Sequence, residues 1–276
     1  MIKSLFEKIR VIIHCIHENL NQRDEFEEIV INLNPEKEES ITTPSPEKED
    51  QKLIFNNMLA TASSILTNAK PDQKAYLDSN YKHPIFSYIK ILGLSIQTKY
   101  ITNLAYGRER LPDLELNQFF KVFYNLTPDQ TIWDIIQPTR NIRNSEKKVK
   151  LNRDLVLPWP WHPLRFKNAL IEIGEHNPSG EWEQDSNNHN ISVVQPMGVC
   201  FVNGGNHSIM AGVVKGEGMI TDYEIIDMTP LYALMYSDGV NYYRKDDNSI
   251  IQEVENVEFA AIFEIGRKLN KLNISW

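Results

Sequence analysis

Cysteine is scarce in this chain of 276 residues: there are two, Cys15 and Cys200, far apart in sequence. Two distant thiols exclude a disulfide framework and a Cys-x-x-Cys metal site, and such sparse use fits a reducing compartment. Long apolar runs are missing as well. No stretch approaches about 18 uncharged apolar residues, so no membrane-spanning helix is expected. The apolar run after Met1-Ile2-Lys3 is broken by Glu7, Lys8 and Arg10, and no small-residue cleavage site follows. That argues against a signal peptide, and the expected setting is cytoplasmic with no membrane partner. Positive charge is in deficit: 29 Lys and Arg face 37 Asp and Glu, a formal net charge of −8. This balance opposes a general grip on nucleic acid, which needs clustered cations. The stretch from Arg140 to Arg153 is a local exception, read as a linker first and a binding arm second, so a nucleic-acid partner stays open.

What remains is an ordinary globular composition, with room for two domains of about 100–200 residues and no internal repeat. Leu5, Ile9, Ile12, Ile13, Ile16 and Leu20 fall at helical spacing and predict an amphipathic arm over 1–34. Pro35 to Gln51 holds three prolines, many Glu and Lys and few apolar residues, so 35–52 is expected to be a flexible linker. A helical domain is expected over 53–145, with helices through Ile54–Leu66 and Phe86–Leu104, a third through Leu116–Phe123, and a fourth capped at Thr127-Pro128. After Arg153 the texture changes to short apolar strands and turns, with a final helix from Val257 to Leu272 whose inner face is Phe259, Ile262, Phe263 and Leu269. The expected fold class is therefore α+β: an all-α N-terminal half and a mixed α/β C-terminal domain over 153–276.

The strongest local signal is Asn203-Gly204-Gly205-Asn206-His207-Ser208, between the apolar runs Gly198–Val202 and Ile209–Val214. Paired glycines let backbone turn tightly and approach a ligand. If a helix follows, its free N–H groups favour an anion such as phosphate, with His207 as acid/base or phosphate donor. The same letters also fit a hairpin, because Asn-Gly between apolar runs is a strong turn signal; helix and hairpin both remain open. Around this turn, His162 and Arg165 are the candidate phosphate partners upstream. Asp185 is the candidate orienting carboxylate for His207. Asn203, Gly204, Gly205, Asn206 and Ser208 complete the candidate ligand-binding set. His162, Asp185, His189 and His207 have no diagnostic metal spacing, and no metal ligand is assigned. Trp159-Pro160-Trp161-His162-Pro163 reads first as a rigid core plug and second as a stacking platform.

The span from Val156 to Met235 resembles the ParB/sulfiredoxin superfamily. The matching parts are the proline-rich entry Trp161-His162-Pro163-Leu164-Arg165, the strand Ile191–Gln195, the turn Gly204-Gly205-Asn206-His207-Ser208, the strand Tyr223–Asp227 and the helix Leu231–Met235. The resemblance implies a helix seated on nucleotide phosphates, in a mobile-element or defence setting. It implies a nucleotide ligand accompanied by a divalent metal, and chemistry on a phosphate ester or nucleic acid. In sulfiredoxins the turn reads Gly-Gly-Cys-His-Arg. Asn206 stands at the cysteine position, which removes sulfinic acid repair, and Ser208 stands at the arginine position, which weakens a triphosphate grip. The competing hypothesis is a non-catalytic interaction protein, binding a protein partner or a second copy through the N-terminal helix.

Overall fold

A computed structural model describes residues 48–70, 78, 81–107, 111–138, 140–143 and 145–276. The expected arm over 1–34 and most of the expected linker lie outside these residues. Where the linker was expected to run on to 52, the chain is already helical from Lys48, and Gln51 Nε2 donates to the Gly239 carbonyl at 2.9 Å.

The fold is α+β. Helices α1 (Lys48–Asn68), α2 (Ile85–Ala105) and α3 (Ile132–Ile136) come first. Strands β1 (Arg140–Ile142), β2 (Val149–Lys150) and β3 (Leu155–Leu157) lead into α4 (Pro163–Glu172). Then follow β4 (Ile191–Gln195), β5 (Val199–Val202), α5 (Asn206–Lys215), β6 (Met219–Ile220), β7 (Tyr223–Asp227) and α6 (Leu231–Leu234). Strands β8 (Met235–Ser237), β9 (Asn241–Arg244) and β10 (Ile250–Glu253) precede the closing helix α7 (Val257–Lys271). The central sheet has the order β1-β7-β4-β5-β3. Its middle pair, β4 and β5, is an antiparallel hairpin, while β3 joins β5 and β7 joins β4 in parallel.

The helices and the sheet share one core, from Phe55 to Trp276. Pro46–Trp276 is a single compact unit, so the expected boundary between 145 and 153 does not separate two bodies. The reason lies in the residues: Phe119 meets Phe259 edge-on at 4.9 Å and Phe201 at 6.1 Å, joining the helical segment, the last helix and β5. The basic stretch expected to be a linker is part of the sheet layer, with β1 paired to β7 and β2 to β6. Two helix expectations are corrected as well. Leu116–Phe123 forms only a short 3-10 turn, Leu116–Gln118, because Phe119, Phe120 and Val122 are all buried, too wide a spread for one helical stripe. The fourth helix is capped by Thr131, not Thr127: Thr131 and Asp134 form a reciprocal capping box. The predicted inner face of α7 is buried as expected, with Phe259, Ile262, Phe263 and Leu269 fully inside.

Below the sheet a buried ion pair fastens the entry to β3. Lys82 Nζ lies 2.5 Å from Asp154 and 3.7 Å from the centre of the Trp276 ring. Burial lowers the Lys82 ammonium from its ordinary 10.5 to about 8. Cys200, fully buried nearby, has its thiol pushed up by burial, which suits an inert core sulfur.

Candidate functional site

Gly205 opens a helix. Its φ of +75° lies in the left-handed region, where glycine carries no steric cost, and α5 starts at the next residue. The hairpin alternative therefore does not apply. The first N–H groups of α5, those of Asn206, His207 and Ser208, have no partner inside the helix. A second helix N-terminus stands beside it: α4 packs against α5 and begins at Pro163, with His162 as its N-cap. His162 Nδ1 accepts from the Arg165 N–H at 3.4 Å.

The two helix starts are tied together by hydrogen bonds. The Trp159 N–H donates to Asn206 Oδ1 at 2.7 Å, and the Trp159 indole donates to the Val202 carbonyl at 2.8 Å. The His162 N–H donates to His207 Nε2 at 3.2 Å. The edge of Trp161 meets the His207 ring at 4.7 Å. Asn206, at the position of the sulfiredoxin cysteine, is thus a buried clamp on the entry segment. The Trp-Pro run divides its roles: Pro158 and Pro160 are buried and Trp159 is half-buried, while Trp161 is exposed.

His207 is held below the ordinary 6.5 by burial first, then by the Arg165 and His162 charges. It is neutral at pH 7, and because Nε2 accepts a hydrogen bond, the proton sits on Nδ1. His207 therefore presents an N–H donor. Arg165 is exposed and makes no ion pair among the described residues. His162, Arg165, His207 and the α5 N–H groups form a set of donors with an excess of positive charge, the chemistry of an anion seat.

Other expected members lie elsewhere. Asp185 serves His189, not His207: the Asp185 N–H donates to His189 Nδ1 at 2.8 Å, and Asp185 Oδ1 accepts from the Asn187 N–H. Burial lowers the His189 pKa, against the Asp185 charge, and the ring stacks on Trp182 at 4.8 Å. Asn188 and Asn190 of this loop hold the glycine turn. The N–H groups of Asn203 and Gly204 donate to the Asn190 carbonyl, and a Cβ on Gly204 would meet the Asn188 carbonyl at 2.7 Å. A Cβ on Gly205 would drive into the His189 ring. The glycines are thus required by protein packing. Ser208 receives the Trp182 indole N–H on its carbonyl. Among the described residues, no group of three or more His, Cys, Asp or Glu is placed to hold a metal ion.

Asn203 faces a different feature. Its Nδ2 donates to Ser192 Oγ at 2.7 Å, and Ser192 Oγ donates to Glu224 Oε2 at 3.4 Å. These residues line a cleft of about 320 Å³ with Phe123, Trp133 and Phe201. Sequence reading missed this row. The signal was present: one polar residue interrupts each of two apolar strands, Ser192 in β4 and Glu224 in β7. The two pair directly across the sheet. No helix among the described residues is long and apolar enough to cross a membrane.

The chain belongs to the family described as Family of unknown function (DUF6710), whose model matches residues 31–276. No curated protein and no solved structure matches it.

Proposed function

We propose that the joined N-termini of α4 and α5 form a phosphate seat, and that the protein binds a nucleotide or another phosphate-bearing ligand there. The observation that carries this reading is the bond from the His162 N–H to His207 Nε2 at the N-terminus of α5, opened by left-handed Gly205, with the Arg165 charge near enough to act on His207. The element order supports the ParB/sulfiredoxin resemblance: a proline-rich entry, a helix, a hairpin of strands, a glycine turn into a helix, then a parallel strand. The chemistry favours holding over proton transfer. His207 Nε2 is engaged by a main-chain N–H, and the carboxylate of Asp185, expected to orient it, accepts from the Asn187 N–H instead. A divalent cation, where one takes part, arrives with the ligand's phosphates.

Thermal unfolding with inorganic phosphate, ATP and CTP tests the proposal, because a ligand that binds only the folded state must stabilise it. At a hundredfold excess over Kd the stabilisation is about 2.7 kcal/mol. Arg165→Ala and His207→Ala should each weaken it by on the order of tenfold in affinity, about 1.4 kcal/mol. An unchanged Tm with all three ligands, or an equal rise in both variants, overturns the reading.

A further inference from the structure

The cleft on the other side of Asn203 has the opposite chemistry to the phosphate seat. Two carboxylates, Glu115 and Glu224, line it, with no Lys, Arg or His among the described lining residues. Its apolar wall is aromatic: Phe123 and Trp133 contact each other at 6.3 Å, and Phe201 comes up from β5. Phe123 is 72% exposed, although aromatic residues immediately before it, Phe119 and Phe120, are buried. A large ring left at the mouth of a cleft supplies contact area for a ligand.

The polar groups are ordered. Asn203 donates to Ser192, and Ser192 donates to Glu224. This chain consumes the hydroxyl of a serine that is 3% exposed. It leaves acceptors, Asn203 Oδ1 and the second Glu224 oxygen, with no hydrogen bond among the described residues. The volume of about 320 Å³ lies at the small end of known ligand pockets. Carboxylates repel anions, and aromatic faces attract cations.

We infer that this cleft is a second binding site, for a small organic ammonium with an aromatic or apolar body. The ammonium sits at Glu224 and Asn203, and the body lies along Phe123, Trp133 and Phe201. The inference stands apart from the phosphate seat, whose Arg165 lies on α4 and whose His207 lies on α5.

Isothermal titration of the folded chain with phenethylamine tests it, with 3-phenylpropanoate as an anionic counterpart of similar shape. Phenethylamine should bind at millimolar or tighter, and the anion at least tenfold more weakly. Glu224→Gln, which keeps shape and removes charge, should cost on the order of tenfold, about 1.4 kcal/mol, with an unchanged melting temperature. Phe123→Ala, an exposed position that does not threaten the fold, should also weaken binding. Phosphate affinity should be the same in both variants, which separates this result from that of the phosphate seat. Absence of phenethylamine binding, equal binding of the anion, or full binding by Glu224→Gln overturns the inference.

Discussion

Two tryptophan–histidine pairs flank the glycine turn, and they do different things. Trp182 stacks on His189 at 4.8 Å with an interplanar angle of 20°, and both are buried. Trp161 meets His207 at 4.7 Å with its edge, at 68°, and Trp161 is 40% exposed. Burial, not residue type, separates a pair that builds the turn from a pair that borders a surface. Letters alone make the four residues equivalent candidates; the solvent makes two of them structural.

The comparison breaks most visibly on deletion of the rings. Trp182→Ala should cost about 3–5 kcal/mol, as for other buried tryptophans, whereas Trp161→Ala should cost under about 1 kcal/mol; chemical denaturation of both variants measures the difference. Comparable losses would show that the outer pair is also structural. Next in size is Gly205→Ala. It places a side chain at φ +75° and against the His189 ring, so it should destabilise by about 2 kcal/mol or more, read as a melting temperature lower by on the order of 5 °C. Loss of ligand binding with a native melting temperature would instead make Gly205 a residue of the site alone.

How much of this was legible in advance varies by element. The strands at 191–194 and 199–202, the turn between them, and the closing helix follow from apolar runs bounded by Gly and Pro, and they stand where expected. Gly204-Gly205 left helix and hairpin open, because Ile209–Val214 is short and apolar enough for either; tertiary packing against Asn188, His189 and Asn190 decides it. The third helix failed because Phe119, Phe120 and Val122 answer to the sheet and α7, not to a helical period. Asp185 was expected to orient His207, but its main-chain N–H bonds His189 and its carboxylate accepts from Asn187, since proximity in three dimensions is not readable from the residues' spacing. The Ser192–Glu224 row was readable only by someone who knew that β4 and β7 are neighbours.

A smaller effect sharpens the comparison of the two histidines. Both are held below 6.5 by burial, so their folded forms resist protonation. The stability each contributes is present above the ordinary pKa and is lost as pH falls through the lowered one. Replacing His189 by Gln should flatten the fall in stability between pH 7 and 5 more than replacing His207 by Gln, because His189 is the more buried ring. Urea titrations at a series of pH values give the answer, and an equal effect in both variants would count against it. A separate effect lies at alkaline pH. Burial of the Lys82 ammonium is a penalty that is full below about 8 and is relieved as pH rises to 10.5. Relative to a Lys82→Met variant, the native chain should gain stability across that window; a monotonic relative loss would mean that the pair with Asp154 outweighs desolvation.

The central hairpin of the sheet has a further consequence for assembly. β4 and β5 are joined by a turn of three residues and pair antiparallel, so they meet with little loop to close. Their outer partners are parallel, and a parallel neighbour must return through a long connection. The chain must close the loop from β3 through α4 before β3 reaches β5, and the loop through α5 before β7 reaches β4. The hairpin is thus the local template, and the sheet grows outward from it in both directions. Non-local pairings of this kind slow folding, and in pulse-labelled hydrogen exchange the amides of Val193 and Cys200 would gain protection ahead of those in β3 and β7.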